Sequence, residues 1–282
     1  DALQQALVLD PTVVQNYMHL SDWHYQAGHV DESIISLSKA ISHDPRRGFI
    51  SSQLGLRYGE LGDLDKAIAW ARHGLEQSPD NLFVQVLAMH VFIEVGDTES
   101  ANQCVESILQ MHPVNPFALR QLGAQDIAAG QAQAAIERWQ KAWPMFVNLQ
   151  GPINNYIVAH AAVDFASHLV QAGDPERAEN LLLNSLGALA GDPMYLSYAH
   201  AMLGNRQETL AIIRDAVEGR RNHVMALWYR LPEYDFLRAD ADFLVLMKTL
   251  EERIAAQSAR IREMVHNGEI PPPPTRKEPV PD

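Results

Sequence analysis

Two histidines and an aspartate recur at four-residue intervals in the middle of the chain and could together hold a metal ion. His160, Asp164 and His168 would share one face of a helix, and two imidazoles with a carboxylate form a ligand set that Zn²⁺ accepts. The nearby sequence supplies no fourth ligand, and His–Asp pairs on helices are commonly solvated neighbours. We therefore interpret these residues as the polar face of a helix, and a metal-dependent enzyme is the least favoured function.

The rest of the sequence offers little for catalysis. Cys104 is the only cysteine, so an intrachain disulfide and a cysteine-based zinc knuckle are impossible. Its position beside Val105 on a helix makes it a core residue. The sequence contains no HExxH motif, no glycine-rich phosphate loop and no nucleophile motif. We expect neither an enzyme nor a bound cofactor.

The charge balance disfavours nucleic acid as a partner. The chain has 22 Lys and Arg against 35 Asp and Glu, a formal net charge of −13, whereas phosphate binding needs clustered cations. Such a charge serves solubility or the attraction of a basic partner. The longest uncharged run, residues 142–163, carries Asn148, Gln150, Asn154 and Asn155, so we do not expect it to insert into a membrane.

Glycine and proline recur with a period of 34 residues over four cycles, which indicates a stack of like units. The glycines are Gly28, Gly62, Gly96 and Gly130, and the prolines are Pro11, Pro45, Pro79 and Pro113. Each interval between a glycine and a proline fits one helix, because glycine suits a positive φ at a helix end and proline cannot continue a helix. The full units are 14–47, 48–81, 82–115 and 116–149.

One unit carries most of a known repeat motif. Leu54, Gly55 and Tyr58, followed by Ala67 and Pro79, resemble the tetratricopeptide pattern W-x2-L-G-x2-Y, A-x3-F, P. The departures in other units are His24 and Asp126 in place of tyrosine and Met89 in place of a small residue. The resemblance implies an all-α fold, a right-handed α-solenoid of helix pairs with a C-terminal capping helix, which binds proteins or peptides.

The spacing divides the chain into five segments. Residues 1–142 form a regular stack that starts within a repeat, residues 143–155 an inserted loop, and residues 156–222 divergent helix pairs. Residues 223–267 form a C-terminal cap and helix, and residues 268–282 a proline-rich tail that we expect to be disordered. Because the chain begins in the middle of a unit, we expect it to be a fragment of a longer protein.

The C-terminal part carries a second resemblance. Trp228, the stretch from Phe236 to Phe243 and the Arg- and Glu-rich helix after it look like the end of tetratricopeptide regions in bacterial signalling proteins. Those proteins are membrane-anchored winged-helix activators and class III nucleotide cyclases. The resemblance implies a bacterial protein of the cytoplasm or periplasm, or the soluble domain of a membrane-anchored protein. It also implies an alternative function, a regulatory domain acting on a winged-helix or cyclase domain located upstream.

The tetratricopeptide resemblance implies a binding groove, because the first helices line the concave face in that family. Phe49, Phe83 and Phe117 lie 34 residues apart near the start of successive first helices. The other residues predicted for the groove are Ser52, Gln53, Leu56, Val86, Leu87, His90, Arg120 and Gln121. The phenylalanines either bind an extended peptide or a helix, or pack between neighbouring units in the core. Met18 and Asp22 replace the Lys and Asn of the family's carboxylate clamp, which disfavours a chaperone C-terminus as ligand.

The last helix has one apolar side. Its members are Phe243, Met247, Leu250, Ile254, Ile261 and Met264. Their spacing, with flanking Glu and Arg, is that of a short coiled coil and would allow a homodimer through this helix. The alternative is that the helix covers the open end of the stack, as terminal repeats require.

Overall fold

The computed structural model describes residues 2–149, 151–219 and 228–273, and the regular structure within these ranges is entirely helical, as predicted. A single helix, α1 (Ala2–Leu9), precedes a series of helix pairs. The pairs are α2 (Val14–Gln26) with α3 (Val30–His43), α4 (Gly48–Glu60) with α5 (Leu64–Gln77), α6 (Leu82–Val95) with α7 (Thr98–Met111), α8 (Pro116–Ala128) with α9 (Ala132–Ala142), α10 (Tyr156–Gln171) with α11 (Pro175–Ser185), and α12 (Pro193–Met202) with α13 (Arg206–Gly219). The last helix is α14 (Ala241–His266), and short 3-10 helices comprise Pro144–Phe146, Leu186–Leu189, Trp228–Arg230 and Pro232–Leu237.

A glycine in the left-handed region follows each regularly spaced first helix. The φ angles of Gly28, Gly62, Gly96 and Gly130 lie between 74° and 78°, a conformation without steric cost for glycine. The residue after each of these glycines donates its N–H to the carbonyl five residues earlier, as Asp63 does to Tyr58. This hydrogen bond is typical of a Schellman turn and confirms the predicted role of the periodic glycines.

The pair α4–α5 shows how closely two helices of one unit approach. A Cβ atom on Gly74 would lie 2.2 Å from the Oγ atom of Ser52 and 2.9 Å from the carbonyl oxygen of Gly48. A Cβ atom on Gly55 would lie 3.0 Å from the backbone nitrogen of Ala71. Larger side chains at Gly74 would therefore force the two helices apart, because the interior is already close-packed.

The chain divides into two compact units. The first unit comprises residues 1–107 and 251–282, and the second comprises residues 108–250. The largest fully buried hydrophobic side chains of the first unit are Tyr58, Phe92, Ile34, Leu37, Ile50, Leu54 and Met89. Those of the second unit are Trp139, Tyr198, Tyr234, Phe165 and Phe243. The change from regular to divergent repeats at residue 143 lies within the second unit.

The segment inserted at residues 143–155 contributes to the core of the second unit. Phe146 is 3% exposed and stacks on Phe165, with 6.1 Å between the ring centroids, and on Trp143 at 5.5 Å. The N–H of Ile153 donates to the carbonyl of Asn184 at 2.8 Å, and the Ile153 side chain is buried. The insertion is thus held by two apolar anchors, one near each end.

Among the described helices, none combines the length and the apolar composition that crossing a bilayer requires. The predicted cap at residues 223–267 is described from residue 228 onward, and the predicted tail at residues 268–282 is described to residue 273. The other residues of both segments lie outside the described part of the chain.

Candidate protein-interaction surface

Phe83 is the most exposed of the three predicted phenylalanines. Its side chain is 68% exposed near the start of α6, and its ring meets that of Phe49 edge to face, with 6.4 Å between the centroids. Asn81 fixes this end of α6, because its Oδ1 atom accepts the backbone N–H of Phe83 at 3.0 Å. The contact with Phe49 leaves most of the Phe83 ring in solvent. This exposure favours a role of Phe83 in binding over a role in packing between units.

The other groove residues predicted in the first unit differ in accessibility. The half-buried ones are Leu56, Leu87 and His90, and the buried ones are Ser52, Gln53 and Val86. Gln53 donates from Nε2 to Oδ1 of Asp22 at 3.4 Å. Ser52 is completely buried against Gly74, between α4 and α5. The structure therefore corrects the prediction for Ser52, which packs within its own helix pair instead of facing a partner.

A polar cluster of residues from α2, α3 and α4 lies in the same unit. The guanidinium carbon of Arg57 is 3.1 Å from the centre of the Tyr25 ring, and Arg57 Nε donates to Ser33 Oγ at 3.2 Å. The hydroxyl of Tyr25 donates to Oε1 of Glu60. Burial raises the pKa of Glu60 to about 8, although Arg57 acts in the opposite direction. This carboxyl is consequently protonated near neutral pH, and the cluster braces the ends of two first helices. The repeat motif does not predict it.

In the second unit, the predicted residues Phe117 and Gln121 are half-buried, and Arg120 meets a carboxylate of the next helix pair. Arg120 Nη1 lies 3.5 Å from Oδ1 of Asp164, whose side chain is 1% exposed. The hydroxyl of Tyr195 donates to Oδ2 of the same carboxylate at 3.3 Å. Burial raises the pKa of Asp164 to about 6, with Arg120 opposing it. The three side chains link α8, α10 and α12.

A second carboxylate reaches these helices from the C-terminal cap. Glu233, in the 3-10 helix Pro232–Leu237, accepts at Oε1 from Ser167 Oγ at 2.8 Å and from the Tyr198 hydroxyl at 2.9 Å. Its Oε2 atom is buried and has no hydrogen-bond partner in the described ranges of the chain. The Arg120 guanidinium carbon lies 5.8 Å from the centre of the Tyr198 ring. These bonds hold the cap on α10 and α12, and the Arg120 side chain contacts both Asp164 and the Tyr198 ring beside them.

The positions of Gly130 and Gly173, the glycines with positive φ after α8 and α10, explain why the 34-residue period does not predict Asp164 and Tyr195. Asp164 follows Gln121 by 43 residues, the same distance that separates Gly173 from Gly130. Asp164 on α10 therefore occupies the repeat position that Gln121 occupies on α8. Tyr195 on α12 occupies the same position, because it follows Asp164 by 31 residues, the distance from Gly173 to Gly204. The insertion at residue 143 shifts these positions out of the 34-residue register.

The three residues of the metal hypothesis have separate partners. His168 Nδ1 accepts the indole N–H of Trp139 at 2.8 Å, and burial lowers the pKa of His168 to about 4. His160 stacks on Tyr195, with 3.8 Å between centroids, and its Nε2 lies 3.1 Å from Oδ2 of Asp192. Asp164 binds Arg120 and Tyr195, as described above. No group of three or more His, Cys, Asp or Glu among the described residues could hold a metal ion.

A cavity of about 490 Å³ lies on α5, α6 and α7 of the first unit. Its lining includes Arg72, Gln85, Phe92, Gln103 and Cys104. Cys104 is 2% exposed, and burial raises the pKa of its thiol to about 12. The thiol therefore stays protonated near neutral pH and lines the cavity as an apolar group, in agreement with its prediction as a core residue.

No family model and no curated protein sequence matches the chain. Solved structures do. A chain of the APC/C hetero-tetramer Cut9–Hcn1 matches 90% of this chain with 45% of its own length, at 14% identity and a TM-score of 0.57. A monomeric mutant of IFIT1 with Gppp-AAAA matches 92% of this chain with 66% of its own, at 15% identity and a TM-score of 0.54. A tetratricopeptide repeat protein from Parabacteroides merdae ATCC 43184 covers 87% of this chain and 98% of its own, at 17% identity and a TM-score of 0.46.

The first two likenesses, at this level of identity, show the fold alone. That fold is a solenoid of tetratricopeptide-type helix pairs, and the sequence-based prediction of it is confirmed. The chain spans less than half of the Cut9–Hcn1 chain that it matches. The resemblance of the C-terminal part to bacterial signalling proteins stays a prediction.

Proposed function

We propose that the chain is a protein-interaction scaffold that binds a peptide or protein segment through first-helix residues of the first unit. This surface, called the Phe83 surface below, consists of Phe49, Leu56, Phe83, Leu87 and His90. The exposure of Phe83 carries the proposal. A rigid aromatic ring that is backed by a second ring offers a partner a large apolar area at little entropic cost, as binding hot spots do.

The side chains next to Phe83 indicate the chemistry of the partner. Leu56 and Leu87 are half-buried and apolar, so they suit an aliphatic or aromatic anchor side chain beside Phe83. The formal net charge of −13 favours a segment of neutral or positive charge. The proposed role is binding without chemistry.

A displayed peptide library selected on the parent protein tests this proposal. Phe83→Ala should lower the affinity of the selected peptides at least about tenfold, because hot-spot aromatics cost about 2 kcal/mol or more when truncated. Phe236→Ala is the matched control, since Phe236 is also an exposed phenylalanine, at 47%, but lies in the second unit. Both variants should keep the helical circular dichroism of the parent.

Two results would refute the proposal. In one, the library yields no peptide that the parent binds. In the other, the selected peptides bind the Phe83→Ala protein as tightly as the parent.

A further inference from the structure

The last part of α14 lies against the first complete helix pair of the first unit. Gln257 Nε2 donates to the carbonyl of Gly28 at 2.9 Å, and the backbone N–H of Asp31 donates to Gln257 Oε1 at 3.1 Å. Arg253, one turn earlier on the same face, brings its guanidinium to 3.8 Å from where a Cβ atom of Gly28 would lie. One glutamine thus satisfies two backbone groups at the turn between α2 and α3, which ties the helix to a defined position.

A charged contact lies next to this glutamine. Arg260 Nη1 donates to Asp31 Oδ2 at 2.6 Å and to Glu32 Oε1 at 2.7 Å. Both carboxylates belong to the first turn of α3, and Asp31 is 7% exposed. The acidic start of α3 and the Gly28 carbonyl, together called the α3 corner, therefore face a helix that presents Arg253, Gln257 and Arg260 at i, i+4 and i+7. On a helix this spacing places three side chains along one face.

The charged part of the contact is partly solvated. The Arg260 side chain is 46% exposed, and ion pairs with that exposure add little stability. The ends of the contact are also far apart in sequence, because Gln257 and Gly28 are 229 residues apart. The helix is thus held by these hydrogen bonds, by the buried side chains of Gln257, Ser258 and Ile261, and by its covalent attachment, which raises its effective concentration at the corner. The charged part of this contact is therefore accessible to salt and to competing cations.

We infer that the α3 corner is a docking surface for an amphipathic helix with a cationic face, which α14 occupies within the chain and which a partner helix with the same kind of face takes when α14 leaves. The two carboxylates select a positive charge, and the Gly28 carbonyl and the Asp31 N–H select an amide side chain one turn before it. Ile261, which follows Arg260 on the helix, is 2% exposed, so the helix also needs an apolar residue at that position. This surface shares no residue with the Phe83 surface, so the inference goes beyond the proposed function. Pairing of α14 with a second copy stays a prediction.

The test uses the full chain with one charge reversed. Arg260→Glu places a third carboxylate beside Asp31 and Glu32 and should release α14 from the corner. Arg262→Glu is the matched control, because it makes the same charge change on an exposed position of the same helix. The probe is a labelled synthetic peptide with the sequence of residues 246–270, which carries the wild-type Arg260, titrated by fluorescence anisotropy.

We expect the peptide to bind the Arg260→Glu protein at least about tenfold more tightly than it binds the parent or the Arg262→Glu protein. Binding should weaken as salt is raised from about 0.05 to 0.5 M, because exposed charges are screened. Hydrogen exchange gives a second readout. The Asp31 amide should exchange faster in the Arg260→Glu protein and regain its protection when the peptide is added.

Three results would overturn the inference. The peptide could fail to bind the Arg260→Glu protein, or it could bind the parent equally well, which would mean that α14 does not occupy the corner. Sedimentation could also show a parent dimer that Arg260→Glu dissociates, which would assign the corner to α14 of a second copy. None of these readouts uses the peptides selected on the Phe83 surface, so the two proposals fail separately.

Discussion

A single methyl group on α8 should test how His168 is held. A Cβ atom on Gly123 would lie 2.4 Å from Cε1 and 2.6 Å from Nδ1 of His168. The ring would have to move by about 1 Å to reach ordinary contact, and it is buried at 3% exposure. Such a move draws Nδ1 away from the indole N–H of Trp139, which donates to it at 2.8 Å.

The expected cost of Gly123→Ala has three parts. Overpacking a close-packed site costs about 1–3 kcal/mol. Leaving the buried indole N–H of Trp139 without its acceptor costs about 1–3 kcal/mol more. Alanine is favoured over glycine in a helix by about 1 kcal/mol, which offsets part of this. The net result is a loss of about 1–5 kcal/mol in the free energy of unfolding.

A double-mutant cycle with His168→Ala makes this test specific. Without the imidazole, the methyl group of residue 123 meets no ring, so Gly123→Ala should then stabilise the protein by up to about 1 kcal/mol. The measurement is urea unfolding followed by circular dichroism and by tryptophan fluorescence. The reasoning is wrong if Gly123→Ala has the same effect in both backgrounds. A reversal of sign would show that His168 is a packed core residue with a fixed partner.

Two further predictions concern buried titratable groups of the first unit. Burial raises the pKa of Glu60 from 4.5 to about 8, so the folded state holds this proton more tightly than the unfolded chain does. That stabilisation is full below pH 4.5 and is lost as the pH rises through about 8, which lowers the free energy of unfolding by up to about 5 kcal/mol. Glu60→Gln should abolish this loss, whereas Glu106→Gln should not. An equal pH dependence of unfolding in the parent and in Glu60→Gln would contradict the prediction. With a pKa of about 12, Cys104 should be a thiolate in about one molecule in 10,000 at pH 8. It should therefore react with a disulfide reagent at least about 100-fold more slowly in the folded protein than in the protein unfolded in urea. Comparable rates would show that the reagent enters the cavity and that the pKa of the thiol lies below about 12.

The helix pairs could be predicted from the sequence because their signals are local. A glycine such as Gly62 needs only its own positive φ, and the hydrogen bond from Asp63 to Tyr58 closes within six residues. The same holds for Asn81, which caps the next first helix with its own side chain. Repetition of such local signals at a constant period is enough to define a solenoid.

The polar clusters could not be predicted in the same way, because their members come from different units. The 34-residue period predicts the position of Arg120, but its partner Asp164 lies beyond the insertion, where the period fails. Glu233 comes from a cap segment with no repeat pattern at all. The contact of α14 with Asp31 joins residues that are more than 220 positions apart in the sequence, and no local pattern in either segment predicts it. Charge and polarity alone do not identify a partner when any of many acidic residues could pair with an arginine.

The Phe83 surface and the α3 corner share no residue, and this has a consequence for the scaffold as a whole. Residues without common partners contribute additively, so Arg260→Glu should leave the affinity of peptides selected on the Phe83 surface unchanged. If Arg260→Glu alters that affinity, then release of α14 reaches the Phe83 surface and the two surfaces are coupled. If it does not, a partner that carries both an apolar peptide and a helix with a cationic face gains from the two sites together, because the second contact becomes intramolecular once the first is made. Under that arrangement α14 sets how tightly a two-part partner binds, while a partner that uses Phe83 alone binds regardless of where α14 lies.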